Sequence, residues 1–209
     1  MKLEFLAHYH AEHGYSLRER LFGYVHELAK HSSLIPSISN TLSNNAFSKV
    51  FLLKLGINSA RSSPNLSKQQ FIKWFNNREQ PTHNTTHKKI IYFHDTWTNY
   101  YHPDIGIAAV KLLEEAGFEV LLIEKRECCG RPMLSKGMIE PARKRALKNA
   151  SLLAPYAKEG IPIVGTEPSC ILTFRDEYLD LLPQDEDISV LAKNSYTLDE
   201  FLTNLHESG

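Results

Sequence analysis

The side chains best suited to chemistry in this chain are its three cysteines, Cys128, Cys129 and Cys170. A thiolate is both a soft-metal ligand and a nucleophile, and it forms more readily beside cations and helix N-termini. Arg126 and Arg131 flank the adjacent pair, and Cys170 falls near the expected start of a helix. Gly130, directly after the pair, can take a positive φ and lets the backbone approach a bulky ligand. Adjacent cysteines are unusual for a mononuclear zinc site, whose paired ligands are normally spaced. They suit a centre that offers several iron atoms, and sulfur-rich sites in general favour zinc or iron–sulfur over hard cations. The bland alternative is that all three are buried core residues, the common state of a free cysteine.

Three short apolar runs have to position these sulfurs. Ile90–Phe93 ends in His94-Asp95-Thr96, and a run from Phe118 to Ile123 precedes Glu127-Cys128-Cys129. Ile161–Gly165 precedes Glu167-Pro168-Ser169-Cys170. Helical patterns separate them, one opening at Pro103 and stopped by Gly117, the other running from about Met138 to Lys158 and stopped by Gly160. Alternating strand and helix is the pattern of an α/β layer fold with a small parallel sheet and flanking helices. Ligands of such sheets bind outside the carboxyl ends of the strands. Parallel strands would therefore bring the three sulfurs to one sheet edge, with His94 or Asp95 bordering the same cleft. A helix is expected from Ser169 or Cys170 through Leu181, and Thr197-Leu198-Asp199-Glu200 reads as a capping box opening the last helix.

The chain divides by pattern into a helical N-terminal segment with linker, residues 1–87, and an α/β domain, residues 88–209. Apolar spacing predicts a helix over 2–13, stopped by Gly14, and Ser16-Leu17-Arg18-Glu19 is a capping box for the next. Leu17, Leu21, Val25 and Leu28 give that helix one apolar face. Residues 31–45, rich in Ser and Asn, read as loop, and Phe47–Leu55 as a short helix. A further helix carries Phe71, Trp74 and Phe75, aromatics expected to pack against the following domain. Residues 78–87 are polar and serve as linker. His10 and His13 have the spacing of a helical metal pair, but an ordinary polar helix face is the simpler reading.

The 24 basic and 24 acidic residues balance, which argues against a general nucleic-acid or anionic-membrane footprint. No apolar run approaches the length of a membrane span. An odd number of cysteines, two of them adjacent, makes a poor disulfide framework and fits a reduced, cytoplasmic setting.

Three segments resemble the CCG-type cysteine-rich domain of FAD-linked and iron–sulfur oxidoreductases. They are Phe93-His94-Asp95-Thr96-Trp97-Thr98-Asn99-Tyr100, Cys128-Cys129-Gly130-Arg131-Pro132 and Gly165-Thr166-Glu167-Pro168-Ser169-Cys170. Glu4–Tyr9 and Arg18–Gly23 resemble the segment that follows the ferredoxin-like domain in the D-2-hydroxyglutarate and D-lactate dehydrogenase-like members. Iron–sulfur subunits of glycolate oxidase and of anaerobic glycerol-3-phosphate dehydrogenase carry the same type of domain. The resemblance implies an electron-transfer, iron–sulfur-associated portion of a FAD-linked 2-hydroxyacid dehydrogenase. Cys128, Cys129, Gly130 and Cys170 would hold or border a [4Fe–4S] cluster, with Glu167, Asp95 and His94 as supplementary candidates.

The full family pattern also has a cysteine before the CCG and a CxxC after it. Thr96 stands at about the first of these positions and Glu167 where the CxxC would begin. One CCG unit is present where the family usually has two. FAD is therefore expected only on a partner domain or chain. The expected partners are a flavin domain and a ferredoxin-like unit, or the missing second CCG unit, with self-association an alternative. The chain is not expected to be active alone. An apolar patch near Trp97, Tyr100 and Tyr101 would mark the interface, and a peripheral location at the inner membrane face is compatible. Two other readings stay open: a metal-free docking module, and a zinc site of three thiolates and one further ligand.

Overall fold

The computed structural model describes residues 2–58, 60, 62–79 and 88–207. The N-terminal segment is helical: α1 Lys2–His13, α2 Leu17–Gly23, α3 Val25–Ser32, α4 Pro36–Ser43, α5 Ala46–Lys54 and α6 Phe71–Asn77. The Ser16–Glu19 capping box forms with both of its reciprocal hydrogen bonds. The helix it opens breaks at Tyr24, and the expected apolar face is largely solvent-facing, Leu17 and Leu28 being exposed. The stretch 31–45 is not all loop. Pro36 occupies the first turn of α4, and Asn40 pins that helix by accepting from Leu66 N (2.8 Å) and donating to Leu66 O (2.9 Å). His13 is exposed with Nδ1 3.0 Å from the Tyr9 carbonyl, as on a polar helix face, whereas His10 is buried between the Gly14 carbonyl (3.0 Å) and Glu19 (3.2 Å). The expected boundary within 78–87 falls mostly outside the described residues.

The remainder alternates as β1 Lys88–Tyr92, α7 Thr96–Tyr100, α8 Pro103–Glu115, β2 Phe118–Leu121, α9 Arg131–Leu134, α10 Ile139–Lys158, β3 Ile163–Gly165, α11 Pro168–Arg175, α12 Glu177–Leu181, α13 Glu186–Lys193, β4 Ser195–Thr197 and α14 Leu198–Glu207. The sheet order is β2-β1-β3-β4, and every pairing is parallel. β4 was not expected from the sequence. The helix expected through Leu181 is two helices, divided at Asp176.

β1 lies inside the sheet, with neighbours on both sides and both faces covered, which is why it reads as a continuous apolar run. Successive side chains point to opposite faces. Ile91, Phe93 and Ile163 join the core formed with α10, α11 and α13. Ile90, Tyr92, Val120 and Val164 join the one formed with α6, α8 and α14. Phe71 and Phe75 of α6 sit in this second core, as the aromatic spacing predicts. Gly165, at the end of β3, admits no side chain: a Cβ there would lie 2.8 Å from Ile171 Cδ1. Among the described residues no helix is long and apolar enough to cross a membrane.

The expected apolar patch lies elsewhere. Tyr100 is buried and Tyr101 half-buried, leaving only Trp97 exposed of the three. The packing of α7 against α3, α6 and α8 has absorbed the other two rings. Exposed apolar surface concentrates instead along α4 and α5, where Ile38 is 59% exposed, Leu42 60% and Phe47 87%.

Phe71 makes a specific test of whether α6 is integral to the sheet domain. It is fully buried, and truncating such a ring typically costs about 3–5 kcal/mol. Phe71→Ala should lower the unfolding free energy in urea by that amount with an unchanged m-value. A loss under about 1 kcal/mol, the scale of an ordinary surface change, would mean that α6 contributes little to the core.

Candidate functional site

Chain order places β2 beside one edge of β1 and β3 beside the other, so the crevice between the ends of β1 and β3 is the topological switch point of the sheet. The segments leaving those two ends are laced together. Asp95 caps α7, its Oδ1 accepting from Trp97 N (2.6 Å) and Thr98 N (3.1 Å). Thr98 Oγ1 donates to Asp95 Oδ2 (2.5 Å) and lies 3.5 Å from Thr166 Oγ1, which in turn lies 2.8 Å from Tyr92 OH. Past β3, Glu167 caps α11, its Oε1 accepting from Ser169 N (3.3 Å) and Ser169 Oγ (2.6 Å).

The structure brings Cys129 and Cys170 together, with Cys129 Sγ donating to Cys170 Sγ over 3.0 Å. Cys128 shares the same apolar cluster. All three are buried and free of disulfides. Each thiol is pushed towards its protonated form. The adjacent Cys129 thiol, then burial, pushes the Cys128 thiol well above its usual range. The adjacent Cys128 thiol favours the Cys129 thiolate, but donation to Cys170 and burial outweigh it. Cys170 sits in the first turn of α11, and the bond from Cys129 favours its thiolate. Burial and the nearby Asp95 charge nevertheless leave its thiol raised.

The backbone of the cysteine turn is fixed from a distance. Asn149, in the middle of α10 and fully buried, accepts from Glu127 N (2.8 Å) and donates to Cys128 O (3.2 Å) and to Tyr178 OH (3.0 Å). Tyr178 of α12, also fully buried, donates to Cys129 O (2.9 Å). Sequence reasoning missed both residues. The signal for Asn149 was present: it is a polar residue within the buried stripe Ala142, Ala146, Ala150 and Leu153 of α10. Gly130 does take positive φ (87°), and its close neighbour is Ala142 on α10. Arg145 of α10 joins Glu127 (3.0 Å) to Glu27 of α3, holding the approach to the turn. Arg131 is exposed and pairs with Glu177. Arg126 is buried over the Phe93 ring, 5.1 Å from its centroid. His94 is buried and lines a cleft that none of the three cysteines lines, beside His26 and Arg126.

A sulfur-ligated metal can be tested against this arrangement. The donors fit in kind: two soft sulfurs meet at the switch point, with Cys128 in the same apolar wall. In number they fall short of the four cysteines that normally hold a cubane. Among the described residues no group of three or more His, Cys, Asp and Glu side chains is set to hold a metal ion. Sulfurs bonded to one another at 3.0 Å would have to part and lose their protons to take one. Both Asp95 oxygens are engaged as cap and threonine acceptor. Glu167 is half-exposed and committed through one oxygen only.

Residues 91–175 match the family model CCG, a cysteine-rich domain. Over 133 residues the chain is 33% identical to a subunit of the anaerobic glycerol-3-phosphate dehydrogenase of Escherichia coli (strain K12), covering 63% of this chain and 33% of that one. It is 31% identical over 110 residues to the D-2-hydroxyglutarate dehydrogenase of the same organism, covering 52% of this chain and 11% of that one. It is 30% identical over 121 residues to lactate utilization protein A of Halalkalibacterium halodurans, covering 56% and 48% respectively. The chain thus spans less than half the length of each of these relatives. No solved structure matches it.

Two measurements probe the site. Tyr178→Phe leaves the Cys129 carbonyl and one Asn149 donor without partners, which should cost about 1–3 kcal/mol and speed alkylation of Cys129 in the native protein. An unaltered alkylation rate would detach Tyr178 from the turn. Burial and the charges of Arg126, Arg145 and Lys30 depress His26 to about 3. An unfolded histidine titrates near 6.5. Between those values the unfolded state binds the extra proton, so stability is present above about pH 6.5 and falls as pH drops, by at most about 1.4 kcal/mol per unit. His26→Gln should flatten the pH 7 to 5 dependence of the melting temperature, and an unchanged slope would contradict this.

Proposed function

We propose that this chain, whose residues 91–175 form a CCG-type cysteine-rich domain, is a non-flavin, electron-transfer portion of a dehydrogenase. The observation that carries the reading is the meeting of Cys129 and Cys170 at 3.0 Å, with Cys128 in the same wall, from segments 41 residues apart in sequence. Cys128, Cys129 and Cys170 are the thiol ligands this chain contributes to a metal centre, and Gly130 supplies the positive-φ turn that presents them. Glu167 is the carboxylate best able to add a fourth ligand, because its cap bonds lie at a half-exposed helix end. Asp95 and His94 serve the surrounding structure in this reading. An iron–sulfur cluster at such a site supplies a one-electron carrier; three thiolates and one oxygen ligand suit zinc instead.

The division into a helical segment, 1–87, and a sulfur-bearing domain, 88–209, follows the change of pattern at β1. The flavin that accepts hydride belongs to another domain or chain, since removing hydride needs a cofactor built for it. The exposed apolar residues of α4 and α5 favour a partner chain in such an assembly, because patches of that kind mark interaction sites. The assembly would work on the cytoplasmic side, in solution or docked at the membrane surface.

Anaerobic isolation with metal and sulfide analysis tests the reading. Iron with sulfide supports the cluster, zinc the three-thiolate site, and neither would leave a docking module. Cys129→Ser should abolish bound metal with the circular-dichroism spectrum unchanged, because a hydroxyl is a far poorer ligand for a soft metal. Metal content equal to wild type would sink the assignment. The flavin-free chain should show no dye reduction with D-lactate, glycolate or D-2-hydroxyglutarate, and substrate-dependent reduction would overturn the partner-flavin claim.

A further inference from the structure

A cleft of about 260 Å³ opens between α3, α6 and the segment leaving β1, and none of the three cysteines lines it. Its walls include His26, Lys30, His94, Tyr100, Glu124 and Arg126. Two of these carry buried polar atoms with nothing to bond. Arg126 is 8% exposed, and its Nε has no partner. His94 is 2% exposed, and its Nδ1 has none either. Buried polar groups are almost always satisfied, so two orphans on the walls of one cleft call for an explanation.

The charge balance calls for one more strongly. A guanidinium stays protonated in proteins, and among the described residues Arg126 forms no ion pair. Among the described residues its only side-chain hydrogen bond runs from Nη1 to the Glu127 carbonyl (3.3 Å). That leaves the Nε–Nη2 edge, the side of the fork that receives a carboxylate through two parallel bonds. A buried charge without a partner is costly, and an anion seated on that edge would remove the cost.

The remaining walls define the anion. Lys30 and Glu124 contribute opposite charges, both on exposed side chains. Glu124 is further held by Asn76 Nδ2 (2.8 Å). Burial and the Arg126 charge keep His26 and His94 neutral. The net charge facing a ligand is therefore the single cation of Arg126, which matches a monoanion better than a dianion. A neutral imidazole can still donate one hydrogen bond, and a cleft of this size has room for a small organic acid. We propose that this cleft binds a small carboxylate monoanion, paired bidentately with Arg126 and hydrogen-bonded by His94. The inference does not rest on a metal at the cysteine site and can be tested on metal-free protein.

Sodium D-lactate and sodium acetate, titrated into the full chain at constant ionic strength, should raise the melting temperature saturably and give a binding isotherm. Sodium chloride should do neither, and inorganic phosphate should bind more weakly. Arg126→Gln should weaken binding by at least about tenfold, the scale of a lost charge-assisted hydrogen bond. Should that variant fail to fold, D-lactate should protect Arg126 of the wild-type protein from phenylglyoxal, read by peptide mass spectrometry. The proposal fails if neither carboxylate binds saturably, if phosphate binds more tightly, if Arg126→Gln binds as well as wild type, or if Arg126 gains no protection.

Discussion

β1 lies between β2 and β3, and both pairings are parallel. Its backbone donors serve the third strand directly, with Ile91 N bonded to Pro162 O (2.9 Å) and Phe93 N to Val164 O (2.7 Å). Because the strands run the same way, each delivers its following segment to the same edge. Residues that follow β1, β2 and β3 in sequence thereby become neighbours in space. Remove the β1–β3 pairing, and Cys170 has no reason to meet Cys129. The short lacing through Tyr92, Thr166, Thr98 and Asp95 carries that register from the strands into the segments that bear the chemistry.

Burial gives the sulfur site its second property. Three thiols buried in an apolar wall are stable as thiols, and the helix N-terminus at Cys170 is too weak to reverse this. Any metal taken up there must displace protons, so its affinity should rise with pH. The neighbouring cleft works the opposite way, since its cation is permanent and its histidines neutral. The two sites share the wall between Phe93 and Arg126 but differ in chemistry, one lined by thiols and the other by a fixed positive charge.

Much of this was legible in the sequence, for identifiable reasons. Ile90–Phe93 and Ile161–Gly165 are apolar on both faces and bounded by polar residues, so their strands and their parallel sense could be read. The capping boxes at Ser16 and Thr197 announced their helices. β4 was hidden because Ser195-Tyr196-Thr197 is three residues long, pairs on one side only and merges with the Thr197 cap. α4 was hidden because its stability comes from Asn40 reaching Leu66, a tertiary contact that Ser- and Asn-rich composition does not announce. The exposed patch was misplaced because the rings of Tyr100 and Tyr101 could not be assigned a packing partner from spacing alone. Asn149 and Tyr178 belong to no motif, and their value appears only when α10 and α12 close over the cysteine turn.

That closure has a consequence for the chain as it is being made. The turn at Cys128–Cys129 is closed over by residues that follow it, and Tyr178 lies 49 residues beyond the carbonyl it holds. At ordinary synthesis rates of about 5–20 residues per second, the nascent thiols wait several seconds for their anchor to emerge from the ribosome. During that interval they are as open to oxidants as any unfolded cysteine. Stalled chains ending before Tyr178 should therefore be alkylated readily at Cys129, whereas chains long enough to release α13 should resist. Oxidative damage to this protein would then track translation more than the age of the folded molecule.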